Sequence, residues 1–222
     1  MKIVKFIEHL LFSEYWLEAR RKLAHIFIGI TTLLAHQELW LGNIQNIIVF
    51  RSVILVMYLI LTNAHYARVL LAKISQRAID IFERNDTRIS GFGALTLWIG
   101  IISPILLGFS DTTVITVVLT LSLGDGLATL AGRYLGKHAL PIPGTSRSWM
   151  GSIIGYLAVI VGLYAFGELN FTTAHIALIG MLIEFILGTN IISKKFKKIS
   201  RWYSLDNLFI SIIMMLLFWI IS

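Results

Sequence analysis

Three acidic residues interrupt apolar stretches of this chain: Asp125, Glu184 and Asp206. A carboxylate in an apolar segment is expensive to bury, so it marks a site where it holds a metal ion, exchanges a proton or pairs with a cation. Asp125 lies in LSLGDGLATLAGRYLGK, residues 121 to 137, between two glycines. Two four-residue patterns run through that stretch. Gly124, Ala128, Gly132 and Gly136 make a small-residue stripe that lets another helix approach closely. Asp125, Thr129, Arg133 and Lys137 make an adjacent polar ladder from a buried acid to surface cations.

Two further segments carry groups suited to anions. Glu18, Arg21, Lys22 and His25 share one face of a helix, with a Glu18–Lys22 pair four residues apart. Pro141 and Pro143 exclude helix from the segment GKHALPIPGTSRSWMGS. Its Gly144 to Ser148 turn presents backbone amides, hydroxyls and Arg147 just ahead of a helix start, an arrangement that binds phosphate. Each feature also has a plain structural reading. Ser148 and Asp206 can cap helices, Glu184 can make an interhelical hydrogen bond, and the first basic cluster can simply set topology. His36, His65, His138 and His175 are scattered and show no metal-ligand spacing.

The elements that position these groups are apolar and long. Of the 222 residues 57% are hydrophobic and 14% charged, and there is no cysteine, so disulfides and thiolate chemistry are excluded. Apolar segments fall at 23–41, 45–63, 91–109, 112–131, 150–168, 172–192 and 205–221, about seven candidate spans of roughly 20 residues each. The expected class is an all-α polytopic integral membrane protein forming one domain over residues 1–222. Residues 1–22 would be a cytoplasmic interfacial segment, with an amphipathic helix over 2–17, and 65–90 a second amphipathic stretch at the same surface. Basic residues cluster before the first span and in alternate connections thereafter, with Arg51 left over near a span end. By the positive-inside rule the N-terminus is cytoplasmic and the C-terminus outside. The net charge of +7 then reports topology rather than nucleic-acid binding. At about 1.5 Å per residue, Asp125 and Glu184 both lie ~12 Å beneath the cytoplasmic surface, and Asp206 with Asn207 opens the last span there. Three carboxylates are thus expected to converge on one side, with no comparable cluster on the other.

Taken together, EARRKLAH at 18–25, ERNDTRISGFGALTLWIG at 83–100, LGDGLATLAGRYLGK at 123–137, SRSWMGS at 146–152, and the Ile183-Glu184 pair followed by LDNLFI at 205–210 resemble the polyprenol kinase family, which groups dolichol, phytol and CTP-dependent diacylglycerol kinases. The resemblance implies phosphoryl transfer from a nucleoside triphosphate, characteristically CTP with Mg²⁺, to the hydroxyl of a lipid alcohol. It implies that Asp125 binds the metal or takes the hydroxyl proton. Arg21, Lys22, His25, Gly132, Arg133, Lys137, Arg147 and Ser148 would face the nucleotide's phosphates. Glu184, Asp206 and Asn207 would complete the metal or substrate site, and Glu18, Arg88 and Gly91 fall within the matching pieces. The sequence departs from the family pattern at Arg147, where a lysine is usual, and at Met150, where many relatives carry an acid. Arginine keeps phosphate affinity but as a planar fork. Two other functions stay open: a CDP-lipid synthase, which lacks support from a dense C-terminal Lys-Asp and paired-Asp signature, and a small transporter with a proton-coupled Asp125–Glu184 pair.

Overall fold

The computed structural model describes residues 14–40, 92–135, 148–188 and 205–221. Every regular element among them is helical: α1 (Glu14–Trp40), α2 (Phe92–Leu106), α3 (Asp111–Tyr134), α4 (Trp149–Ala165), α5 (Phe171–Gly188) and α6 (Asp206–Ile221). The class is therefore all-α. Five of the expected apolar segments coincide with α2 to α6. The segment at 45–63, the stretch at 65–90 and nearly all of the one at 2–17 lie outside the described residues. The first segment is longer than expected, since α1 runs unbroken through the basic cluster from Glu14.

α3 is the axle of the bundle. Val114, Val117, Val118, Leu119 and Leu121 on it are fully enclosed, and the other helices pack around it. Ser110 caps its start by accepting the Thr113 N–H, and Asp111 lies in the first turn, where an acid complements the helix dipole. Its buried hydroxyls are satisfied along the helix: Thr116, Thr120 and Ser122 donate to the carbonyls of Thr112, Thr116 and Val118. Between Thr120 and Gly124 the helix widens into one π turn, and the Asp125 N–H reaches back to the Thr120 carbonyl. Such turns shift the phase of all that follows and recur at functional sites.

Two seams fix the neighbours of α3. On one side Gly124, Ala128 and Gly132 meet Gly151 and Gly155 of α4. A β-carbon on Gly155 would stand 2.6 Å from the Gly124 carbonyl oxygen, and one on Gly151 2.5 Å from the Ala128 oxygen. The expected small-residue stripe is thus a backbone-to-backbone seam, with Ser148 capping α4 at its end. On the other side Gly29 of α1 abuts Ser122, and Gly126 abuts Ile26. A third seam joins α2 to α6. Pro104 lacks the N–H that the Gly100 carbonyl would bond, and the Ser211 hydroxyl of α6 donates to that oxygen at 2.9 Å instead.

The interior is mainly apolar yet also encloses charged groups. Glu18, Lys22, His25, Asp125 and Glu184 are buried. Trp149, Ile153, Leu157, Val161 and Tyr164 meanwhile expose one apolar stripe along the outside of α4, and Leu23, Phe27 and Leu34 another along α1. Among the described residues only α3, with 24 residues and a mean hydropathy of 1.8, is long and apolar enough by itself to cross a membrane. α2, α4, α5 and α6 hold 15 to 18 residues each. α2 and α4 run out into turns at Gly108 and Gly167, both with positive φ.

Candidate functional site

α1 and α3 run antiparallel, and the face of α1 that carries the basic cluster meets α3 just after the π turn. There the Lys22 ammonium donates to Asp125 Oδ2, in an ion pair buried on both sides. His25, one helical turn on from Lys22, brings Nδ1 to 3.8 Å from the same oxygen. Thr129, one turn along α3, donates to Asp125 Oδ1 at 3.3 Å. Both carboxylate oxygens are thereby engaged. The Nδ1 atom is fully enclosed and has no hydrogen-bond partner among the described residues. Arg21 is held by Glu18 at 3.0 Å, with its guanidinium beside Gly93 at the start of α2.

Segments far apart in the sequence are thus brought together. Lys22 and Asp125 are separated by 103 residues. Gly132, from the same stretch as Asp125, lies against Ser148, whose hydroxyl accepts the Gly151 N–H. Asn207 is buried where its carbonyl meets Gly100 of α2. Arg133 is half-buried in the last turn of α3. Lys137, Arg147, Arg88 and Gly91 lie outside the described residues.

The expected convergence of Asp125, Glu184 and Asp206 on a metal is not seen among the described residues. Among the described residues no three His, Asp or Glu side chains gather closely enough to hold one. Helical phase is the reason. Gly124 faces Met181 of α5 and Val159 of α4. One residue on, about 100° further round, Asp125 turns to α1 and is taken by Lys22. Glu184 is buried on α5, on the Met181 side. Asp206 opens α6, and its Oδ1 accepts the N–H of the next residue, Asn207, at 2.8 Å. Hard cations need several oxygen ligands, and the described residues alone do not gather such a set.

A second polar contact escaped the sequence. At the opposite end of α3, Asp111 Oδ1 lies 3.0 Å from Nε2 of the buried His36, and beside it Thr112 donates to Glu168 at 2.7 Å. This is a histidine–carboxylate contact, not a cluster of three carboxylates. Asp111 opens a helix at the edge of an apolar run and looks like a cap. Only the antiparallel register of α1 on α3 reveals His36 as its partner.

Comparison with family models, with curated proteins and with solved structures returns no match to this chain.

Proposed function

We propose that this chain is a membrane-embedded kinase that transfers a phosphoryl group from a nucleoside triphosphate, CTP or ATP, to the hydroxyl of a lipid alcohol. The observation that carries the reading is the meeting of Lys22 and His25 with Asp125 inside an apolar bundle. It unites the two most distinctive pieces of the sequence resemblance at a buried carboxylate. The apolar stripes on the outside of α1 and α4 suit lipid contact, and the buried polar interior suits chemistry screened from lipid. About seven spans, a cytoplasmic N-terminus and an active site on the cytoplasmic side complete the proposal, resting on the alternation of basic clusters.

In this reading Asp125 takes the hydroxyl proton. The lipid oxygen forms a bond to the γ-phosphorus, the bond from that phosphorus to the bridging oxygen breaks, and the nucleoside diphosphate departs. Phosphoryl transfer asks mainly for positioning and charge neutralisation. Lys22 stands against the carboxylate, and Arg21, Arg133, Lys137 and Arg147 supply positive charge toward the triphosphate. The divalent ion that accompanies a nucleoside triphosphate is part of that substrate.

The test is product analysis. Purified protein with labelled CTP or ATP and a panel of lipid alcohols is expected to yield a phosphorylated lipid and a nucleoside diphosphate. Release of pyrophosphate would assign it instead to CDP-lipid synthesis. One observation favours a second reading. The His36–Asp111 contact gives the central helix a His–Asp site at each end, as a proton-coupled transporter would have. That reading requires flux in vesicles without any nucleotide.

A further inference from the structure

We infer that His25 grips the hydroxyl of the lipid alcohol and does not bind the nucleotide's phosphates; the inference rests on the kinase reading. His25 Nδ1 is enclosed, lacks a hydrogen-bond partner among the described residues, and stands 3.8 Å from Asp125 Oδ2. That separation is too long for a direct hydrogen bond. A buried polar group without a partner is costly and calls for a ligand to satisfy it. An oxygen about 2.8 Å from both atoms would see them at an angle of roughly 85°, within reach of a hydroxyl's donor and acceptor directions.

The chemistry of the pair selects the ligand. Asp125 is a carboxylate beside a lysine, and a carboxylate only accepts. The ligand atom must therefore donate toward Oδ2, and it must also accept from Nδ1–H. A hydroxyl does both with one atom. A phosphate oxygen placed between them offers no proton to the carboxylate and meets its charge at close range. Thr129 donates to Oδ1 and Lys22 to Oδ2, and the alcohol would meet Oδ2 from the side that faces His25. The phosphates are then served by Arg21, whose guanidinium lies beside Gly93. His25 is thus a binding residue for the acceptor substrate, and it sets the direction in which the hydroxyl proton points.

The test separates the Michaelis constants of the two substrates in the full-length protein, purified in lipid nanodiscs. His25→Ala is expected to raise KM for the alcohol about tenfold, the loss of one hydrogen bond at a buried site, and to leave KM for the nucleotide within about twofold. His25→Asn, whose amide nitrogen stands where Nδ1 stands, should recover most of the alcohol KM. His25→Gln, which reaches toward the position of Nε2, should not. A nucleotide KM that rises in place of the alcohol KM overturns this inference and leaves the kinase reading intact. So does an Asn variant no better than Ala. A wild-type protein that phosphorylates no alcohol overturns both.

Discussion

The central helix meets α1 twice through a histidine and an aspartate, and the two meetings differ. At one end His36 and Asp111 touch directly at 3.0 Å, with the carboxylate part-exposed. At the other, His25 stands off Asp125 at 3.8 Å, and a lysine fills the carboxylate's other approach. The first is a completed contact, a staple between helix ends. The second is buried and incomplete. A fold seeking stability alone would close the second gap as it closes the first. In the proposed reading the Asp125 end does chemistry and the Asp111 end packs, although both use the same residue types on the same two helices.

The largest expected contrast follows from that assignment. Asp125→Asn removes the proton acceptor and should lower lipid phosphorylation by about 10²-fold or more, within the usual range for general-base groups. Asp111→Asn should leave the rate within about twofold. Equal losses at both positions would erase the distinction, and a rate assay on the two variants side by side reads it.

Stability should divide the ends differently. Lys22→Ala leaves Asp125 buried without its cation, and removing one partner of a buried pair costs about 3–5 kcal/mol. Lys22→Met with Asp125→Leu together should regain most of that stability without regaining activity. Thermal unfolding in detergent measures both. At the other end His36→Gln should cost about 1 kcal/mol or less, as for a pair with one part-exposed member. A larger loss there than at Lys22 would reverse the comparison.

The glycines give the next contrast. Gly155→Ala drives a β-carbon into the Gly124 carbonyl and the Ala128 side chain, beside Asp125, and should cost about 1–3 kcal/mol through overpacking. Gly167, in the turn at the far end of α4, has open space around it but a φ of +73°. Alanine there carries only backbone strain, about 1 kcal/mol. Unfolding midpoints of the two variants should fall in that order.

Much of this was legible in the residues. The apolar runs located α2 to α6, because helix-length hydrophobic segments bounded by Gly, Pro and charges leave little choice of element. The four-residue recurrence of Gly124, Ala128 and Gly132 foretold the α3–α4 seam. The polar ladder through Asp125 and Thr129 survives as a hydrogen bond. What was not legible depends on phase and register between helices. The π turn at Thr120–Gly124 rotates everything after it, and no residue pattern announces it. That rotation decides that Gly124 looks toward α5 and Asp125 toward α1. Depth along the spans suggested that Asp125, Glu184 and Asp206 would meet, but depth says nothing of direction round a helix. Lys22 and Asp125 each stand out in the residue pattern, yet their pairing needs the α1–α3 contact. His36 and Asp111 needed it too.

The central claim is that the Asp125 end of α3, and not the Asp111 end, activates a lipid hydroxyl. The most direct measurement is transfer of labelled γ-phosphate to a lipid alcohol by wild-type protein, Asp125→Asn and Asp111→Asn, purified alike and matched for folding. The account expects labelled lipid from wild type and Asp111→Asn and almost none from Asp125→Asn. Labelled lipid at near-normal rates from Asp125→Asn, or none from the wild type with any alcohol, would contradict it.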